Sequence, residues 1–194
     1  VRTDRYAGIV VSIDRNVNNA GAWRRWLLAR IREGMRVAVI GQFGFPIDQQ
    51  TAQVLGLERV AGTVPGAVEP RVVSKSPMIG FEIMPTPDVR DALGVRVGPK
   101  GEPLLRLKAG DYTYDMAGML PWGGYSLNPY GVTSLAGIEQ ERWAIQPIDF
   151  LRQALALPQM PVPDVTTENG RRLMFVHVDG DGFASRAEFP GVDY

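Results

Sequence analysis

The sequence predicts a mixed α/β domain, and three observations carry that expectation. Two nearly continuous apolar runs, Tyr6 to Asp14 and Arg36 to Gly41, bracket a stretch with helical periodicity. A valine-, glycine- and proline-rich texture from Val60 to Pro103 then carries short alternating runs of the kind that build strands. A further helical pattern opens at Pro147. With 194 residues, 45% of them hydrophobic, the chain has enough apolar surface for a real core.

The first run, Ile9-Val10-Val11-Ser12-Ile13, has the continuous apolarity expected of a central parallel strand covered on both faces. A polar loop from Asp14 to Asn19 follows it. Trp23, Trp26, Leu27, Arg30 and Ile31 then recur at steps of three and four, drawing one stripe with Arg24, Arg25 and Arg32 off it. Gly34 stops that helix, and Val37-Ala38-Val39-Ile40 is a second buried strand, completing a βαβ unit. The loop Gly41-Gln42-Phe43-Gly44 sits at a strand end, where α/β proteins often bind ligands, but it lacks the spacing of a P-loop or dinucleotide fingerprint. It reads as a structural turn or an anion cradle. Asp48 suits the N-cap of a short helix that ends near Gly56.

Within the β-rich insertion, strands are expected at Arg71 to Lys75 and Met78 to Met84, with Gly98-Pro99-Lys100-Gly101 turning between Val95-Arg96-Val97 and Leu104 to Leu107. Tyr112, Tyr114, Trp122, Tyr125 and Tyr130 crowd the next stretch. They are either core aromatics of two strands joined by Pro121-Trp122-Gly123-Gly124, or flat rings, Trp122 and Tyr125 foremost, presented for stacking on sugars. Glu141 to Ile145 reads as a strand. Pro147 opens a helix through Leu157, with Ile148, Leu151 and Leu155 on its buried face. The prolines of 158–163 mark a linker, so residues 1–160 are expected to form one α/β domain, 161–170 the linker and 171–194 the start of another domain.

Twenty-one basic residues balance twenty-one acidic ones, so no net field draws the chain to nucleic acid or to an anionic membrane. No apolar run approaches a membrane span, and membrane insertion is not expected. The absence of cysteine suits export and cytosol alike. A start at Val1, without a charged and apolar leader, reads as an excised internal segment.

The last stretch bears the chemistry. Leu173-Met174-Phe175-Val176 is a short apolar run that ends in Asp179-Gly180-Asp181-Gly182. On extended backbone the two carboxylates point the same way, one placed to hold a metal and the other to take a proton. The same DGDG is also ordinary turn chemistry. An EF-hand loop is disfavoured, because Ala184 stands at the sixth place from Asp179, where glycine is required.

The string His177-Val178-Asp179-Gly180-Asp181-Gly182-Phe183, followed by Ala187-Glu188-Phe189-Pro190-Gly191, resembles the first motif of the polysaccharide deacetylase domain in PelA-type proteins, which modify the exopolysaccharide of the Pel biofilm system. The resemblance covers about the last 20 residues and implies Asp179 as general base and Asp181 as metal ligand. Gly180 interrupts the adjacent acid pair usual in the wider family. That family completes its divalent metal site, expected to hold zinc, with two histidines from a later motif. This chain has one histidine, His177, better suited to a core or supporting role. The implied parent is an exported, periplasmic hydrolase acting on an N-acetylated aminosugar polymer, with other secretion-system proteins as partners. The fragment itself is expected to bind no metal and to be inactive.

The order of elements before the linker resembles, loosely, the flavodoxin-like three-layer domains of the class I glutamine-amidotransferase type. Such enzymes need a nucleophilic cysteine, and this chain has none. No G-x-S-x-G elbow replaces it. The expectation is a non-catalytic domain, either a carbohydrate-binding module or a structural docking surface.

Overall fold

A computed structural model describes residues 5–60, 68–90, 92–135, 137 and 140–159. The chain divides into two units, Val1–Pro158 and Gln159–Tyr194, and the architecture below is that of the first. The expected strand at 173–176, the DGDG motif and nearly all of the expected linker lie outside the described residues.

The βαβ unit forms as its pattern requires. Strand β1 (Ile9–Ile13) leads into helix α1 (Ala20–Arg32), and strand β2 (Val37–Gly41) returns parallel to β1, with Ile9 level with Val37 and Ile13 with Gly41. The Asn19 side chain caps α1 by accepting from the Ala22 amide, and Gly34, at φ +87°, turns the chain after its end. The buried stripe of α1 centres on Leu27 and Leu28, while Trp26 is exposed and stacks on Trp23 at 5.2 Å. Helix α2 (Gln49–Leu55) is capped by Asp48, which accepts from the Thr51 amide at 2.7 Å, and closes on Gly56 in the left-handed region. Hydrogen bonds from Thr51 lower the Asp48 carboxyl to about 2, with Arg24 adding to the effect.

Strands β3 (Leu57–Arg59), β4 (Arg71–Lys75), β5 (Val95–Val97), β6 (Glu102–Ala109), β7 (Tyr112–Leu120) and β8 (Gly123–Leu127) follow. The main sheet runs β1-β2-β8-β7-β6-β4, parallel through β1, β2 and β8 and antiparallel beyond. Of the β-rich stretch, β4 and the start of β6 extend the main sheet in antiparallel fashion, while β5 pairs with β3 apart from it. The expected strand at 78–84 does not form. Gly80 takes φ +87° and the stretch folds back on Ala144, leaving a single bridge between Ile79 and Ile145.

Strand β1 lies at the edge of the described sheet and not at its centre, and its even-numbered face is open, with Val10 50% exposed. Fully buried β2 takes the central place instead. The hairpin from β7 to β8 turns on Pro121 and Trp122, as expected. Strands β9 (Val132–Ser134) and β10 (Glu141–Trp143) form a short antiparallel pair before helix α3 (Pro147–Ala154). That helix is shorter than its pattern suggested and buries Phe150 and Ala154, leaving Ile148 67% exposed. Ala156, at φ +52°, ends it before Leu157.

Successive residues of β8 show how the layers are arranged. A side chain at Gly124 would meet Phe150 of α3, while the Tyr125 ring packs on Phe43, whose backbone oxygen accepts from Trp23 of α1. Helices α1 and α3 thus cover opposite faces of a mixed α/β sheet. In flavodoxin-like wiring the first strand lies between the second and third; here β2 lies between β1 and β8.

Candidate functional site

Of the two rings chosen from the sequence as a sugar platform, Tyr125 is closed off and Trp122 keeps only a small exposed part. That part faces a different cavity from the polar cleft at the strand ends. Tyr125 is fully buried, and its hydroxyl donates to the Asp115 carbonyl at 3.0 Å. Burial pushes its phenol well above the usual range, and the nearby Asp115 charge adds to this. Trp122 is 8% exposed, and its indole N–H donates to the Leu55 carbonyl at 2.8 Å. Both rings surround Phe43 at about 6 Å, so the aromatic cluster is a core seam. The glycine loop is likewise filled: Phe43 is buried, and a side chain at Gly44 would strike Ile13 and Trp23. Phe43 and Gly44 are therefore a packed turn, and only Gly41 of this loop reaches a cleft.

What stands at the carboxyl ends of the parallel strands is a polar cleft of about 350 Å³. Strands β1, β2 and β8 pair in level register through Ile13, Gly41 and Leu127. The next residues, Asp14 after β1 and Asn128 after β8, therefore flank the end of β2. Their side chains meet across it, with Asn128 Nδ2 donating to Asp14 Oδ1 at 3.4 Å. Backbone bonds fix the platform: the Gln42 amide donates to Ile13 at 2.6 Å and the Asn128 amide to Gly41 at 3.2 Å.

Gly41 makes that approach possible. It holds φ +97°, and a Cβ there would lie 2.3 Å from the Ile13 carbonyl oxygen and 3.4 Å from Asn128 Oδ1. Thr133 and Ser134 of β9, Glu141 of β10 and Ser12 of β1 also line the cleft, Glu141 bringing a second acidic residue. Among the described residues, no lysine or arginine lines it. The site can donate and accept hydrogen bonds at several points, and its two carboxylates favour a neutral or cationic ligand.

Of these residues, sequence reasoning placed only Gly41 in a candidate site, and none of the polar side chains. Asp14 stood out only as the first residue of a polar loop, and nothing local joins it to Asn128, 114 positions later. The general rule that ligands gather at the carboxyl ends of parallel strands was the available signal. Asp179, Asp181 and His177 lie outside the described residues. Among the described residues, no three His, Cys, Asp or Glu side chains are placed to share a metal ion, and no helix is long and apolar enough to cross a membrane. As for the implied zinc, the terminal motif offers two carboxylates and one imidazole, one imidazole short of the two-histidine set.

No family model, curated protein or solved structure matches the chain.

Proposed function

We propose that this chain belongs to an exported, periplasmic polysaccharide deacetylase, in which the α/β unit is a non-catalytic module that holds the sugar chain. The observation that carries the module's role is the polar cleft formed by Asp14, Asn128, Thr133, Ser134 and Glu141. Sugars are recognised through hydroxyl groups that both donate and accept, and carboxylates, amides and hydroxyls are the side chains that answer them. Removal of an acetyl group from an aminosugar uncovers an amine that is protonated at neutral pH, so a cleft with two carboxylates and no lining cation among the described residues suits both the substrate and its deacetylated product.

The catalytic part of the proposal rests on the motif resemblance. Asp179 takes the proton of the water that attacks the acetamide carbonyl, and Asp181 is one ligand of the divalent metal. When bound, the metal supplies Lewis-acid activation of that water and carbonyl. Two histidines of the kind found in the family's later motif would be needed beside Asp181 to complete the site. For the fold, the β1–α1–β2 unit and helices on both faces support an amidotransferase-like, flavodoxin-like origin, while the place of β2 between β1 and β8 departs from that order.

Titration calorimetry of the chain with acetylated and deacetylated aminosugar oligomers tests the module. Each of Asp14→Ala and Asn128→Ala is expected to weaken binding by about tenfold, the worth of one hydrogen bond to a charged or well-placed group. Failure of both oligomers to bind, or equal binding by the variants, would refute the reading. The catalytic part has its own test. The 194-residue chain is expected to release no acetate, and Asp181→Ala in a chain carrying the whole deacetylase domain is expected to lose metal and activity together. Activity retained at the unmutated level would remove Asp181 from the metal site.

A further inference from the structure

A larger cavity, about 650 Å³, lies at the other end of the sheet, where β2 and β8 begin. Four chain reversals meet there: the turn from α1 into β2, the end of α2, the turn between β5 and β6, and the β7–β8 hairpin. Its wall is mainly apolar, built by Ile31, Met35, Val54, Leu55, Pro121 and Trp122. The helix ends that reach it have already satisfied carbonyls, since Gly34 donates to Ile31 and Gly56 to Gln53. The Trp122 ring cannot swing, because Leu55 holds its N–H and Phe43 packs edge-on against it at 6.1 Å. Backbone fixes the opposite side, where a Cβ at Gly98 would lie 2.5 Å from the Gly56 oxygen. A preformed apolar cavity of this size is what small-molecule sites present.

Its charges select the ligand further. Arg36, Lys100 and Glu58 line the cavity, and the Glu58 carboxylate is engaged by Arg96 at 3.0 Å. Two cations are left on an apolar wall. We propose that this cavity binds a small amphiphile with an apolar, ring-bearing body and one anionic group, the body lying against Trp122 and Val54 and the anion facing Arg36 and Lys100. The site is separate from the sugar cleft in position and opposite in charge, so the two assignments stand or fall independently.

Anilinonaphthalene sulfonate, an aromatic monoanion, is the probe. Saturable one-to-one binding is expected, read as a rise in probe fluorescence. Arg36→Gln and Lys100→Gln are each expected to weaken it by about fivefold at low salt, the equivalent of one exposed contact-distance charge pair. Val54→Trp fills the cavity and is expected to abolish binding, with its thermal unfolding showing that it remains folded. A neutral analogue, phenylnaphthylamine, is expected to be lost with Val54→Trp and unmoved by the two charge variants. Absence of saturable binding, or binding that survives Val54→Trp in the folded protein, overturns the site. Affinity for the sulfonate left at the unmutated level in both charge variants overturns the anionic ligand. Asp14→Ala is expected to leave probe binding unchanged.

Discussion

Replacing Asp115 by alanine is expected to lower the unfolding free energy by about 3 kcal/mol, the lower end of what breaking a buried ion pair costs. Asp115, on β7, is 1% exposed and joins three strands. Its Oδ1 accepts from Arg106 Nε at 2.7 Å, and its Oδ2 accepts from Arg106 Nη2 at 2.8 Å and from the Val97 amide at 2.7 Å. The two-pronged contact raises the Arg106 pKa above its usual value, chiefly through the hydrogen bonds that Arg106 donates to Asp115. Loss of the carboxylate harms the two donors unequally. The Arg106 side chain is 31% exposed and can turn to water, whereas the buried Val97 amide cannot.

That asymmetry explains why the expected loss is below the upper limit for a buried pair, and it supplies a control. Asp115→Asn keeps an acceptor for Val97 and is expected to cost less, about half as much. Urea unfolding followed by tryptophan fluorescence gives both values. A loss below about 1 kcal/mol for Asp115→Ala would mean that water reaches the pair in the folded protein.

Gly123→Ala is expected to be worse, with a loss above about 4 kcal/mol and little folded protein recovered. Gly123 opens β8 level with Val37 of β2, at φ +145°. An added Cβ would lie 1.8 Å from the Val37 carbonyl oxygen, so the methyl group and the strand pair cannot both keep their places. Parting them there loosens the middle of the sheet, where the buried β2 joins the hairpin. Gly34→Ala is the matching control: φ is +87° but nothing lies within 4 Å of the new atom, so only left-handed strain of about 1–2 kcal/mol is expected. Equal stability of the two variants in urea would show that β2 and β8 separate at no cost.

Much of the fold was legible because its causes are local. The helix from Ala20 to Arg32 follows from apolar spacing, the Asn19 cap and the Gly34 turn, and α2 from the Asp48 cap and Gly56. The β7–β8 hairpin follows from two apolar runs parted by Pro121-Trp122. Reading went astray where a neighbour distant in sequence decided the outcome. Ile9 to Ile13 is apolar enough for a central strand, yet β1 has a strand partner on one side only among the described residues. Met78 to Met84 alternates like a strand, yet the Ala144 carbonyl draws the Gly80 and Phe81 amides into a turn. The Ile148 face of α3 turns outward because Phe150 fills the space over Gly124, where no side chain competes.

Sequence by itself determined the class of fold, most of the caps and turns, and the terminal acid motif that sets the functional expectation. Each of these depends on residues within a turn or two of one another, where backbone preference and periodicity act directly. Only the tertiary structure decided that β4 and β6 join the main sheet, that Trp122 and Tyr125 face inward, and that Asp14 meets Asn128 above Gly41. Those outcomes depend on which strands become neighbours, and strand order is set by the burial that the whole chain achieves, which no short stretch encodes.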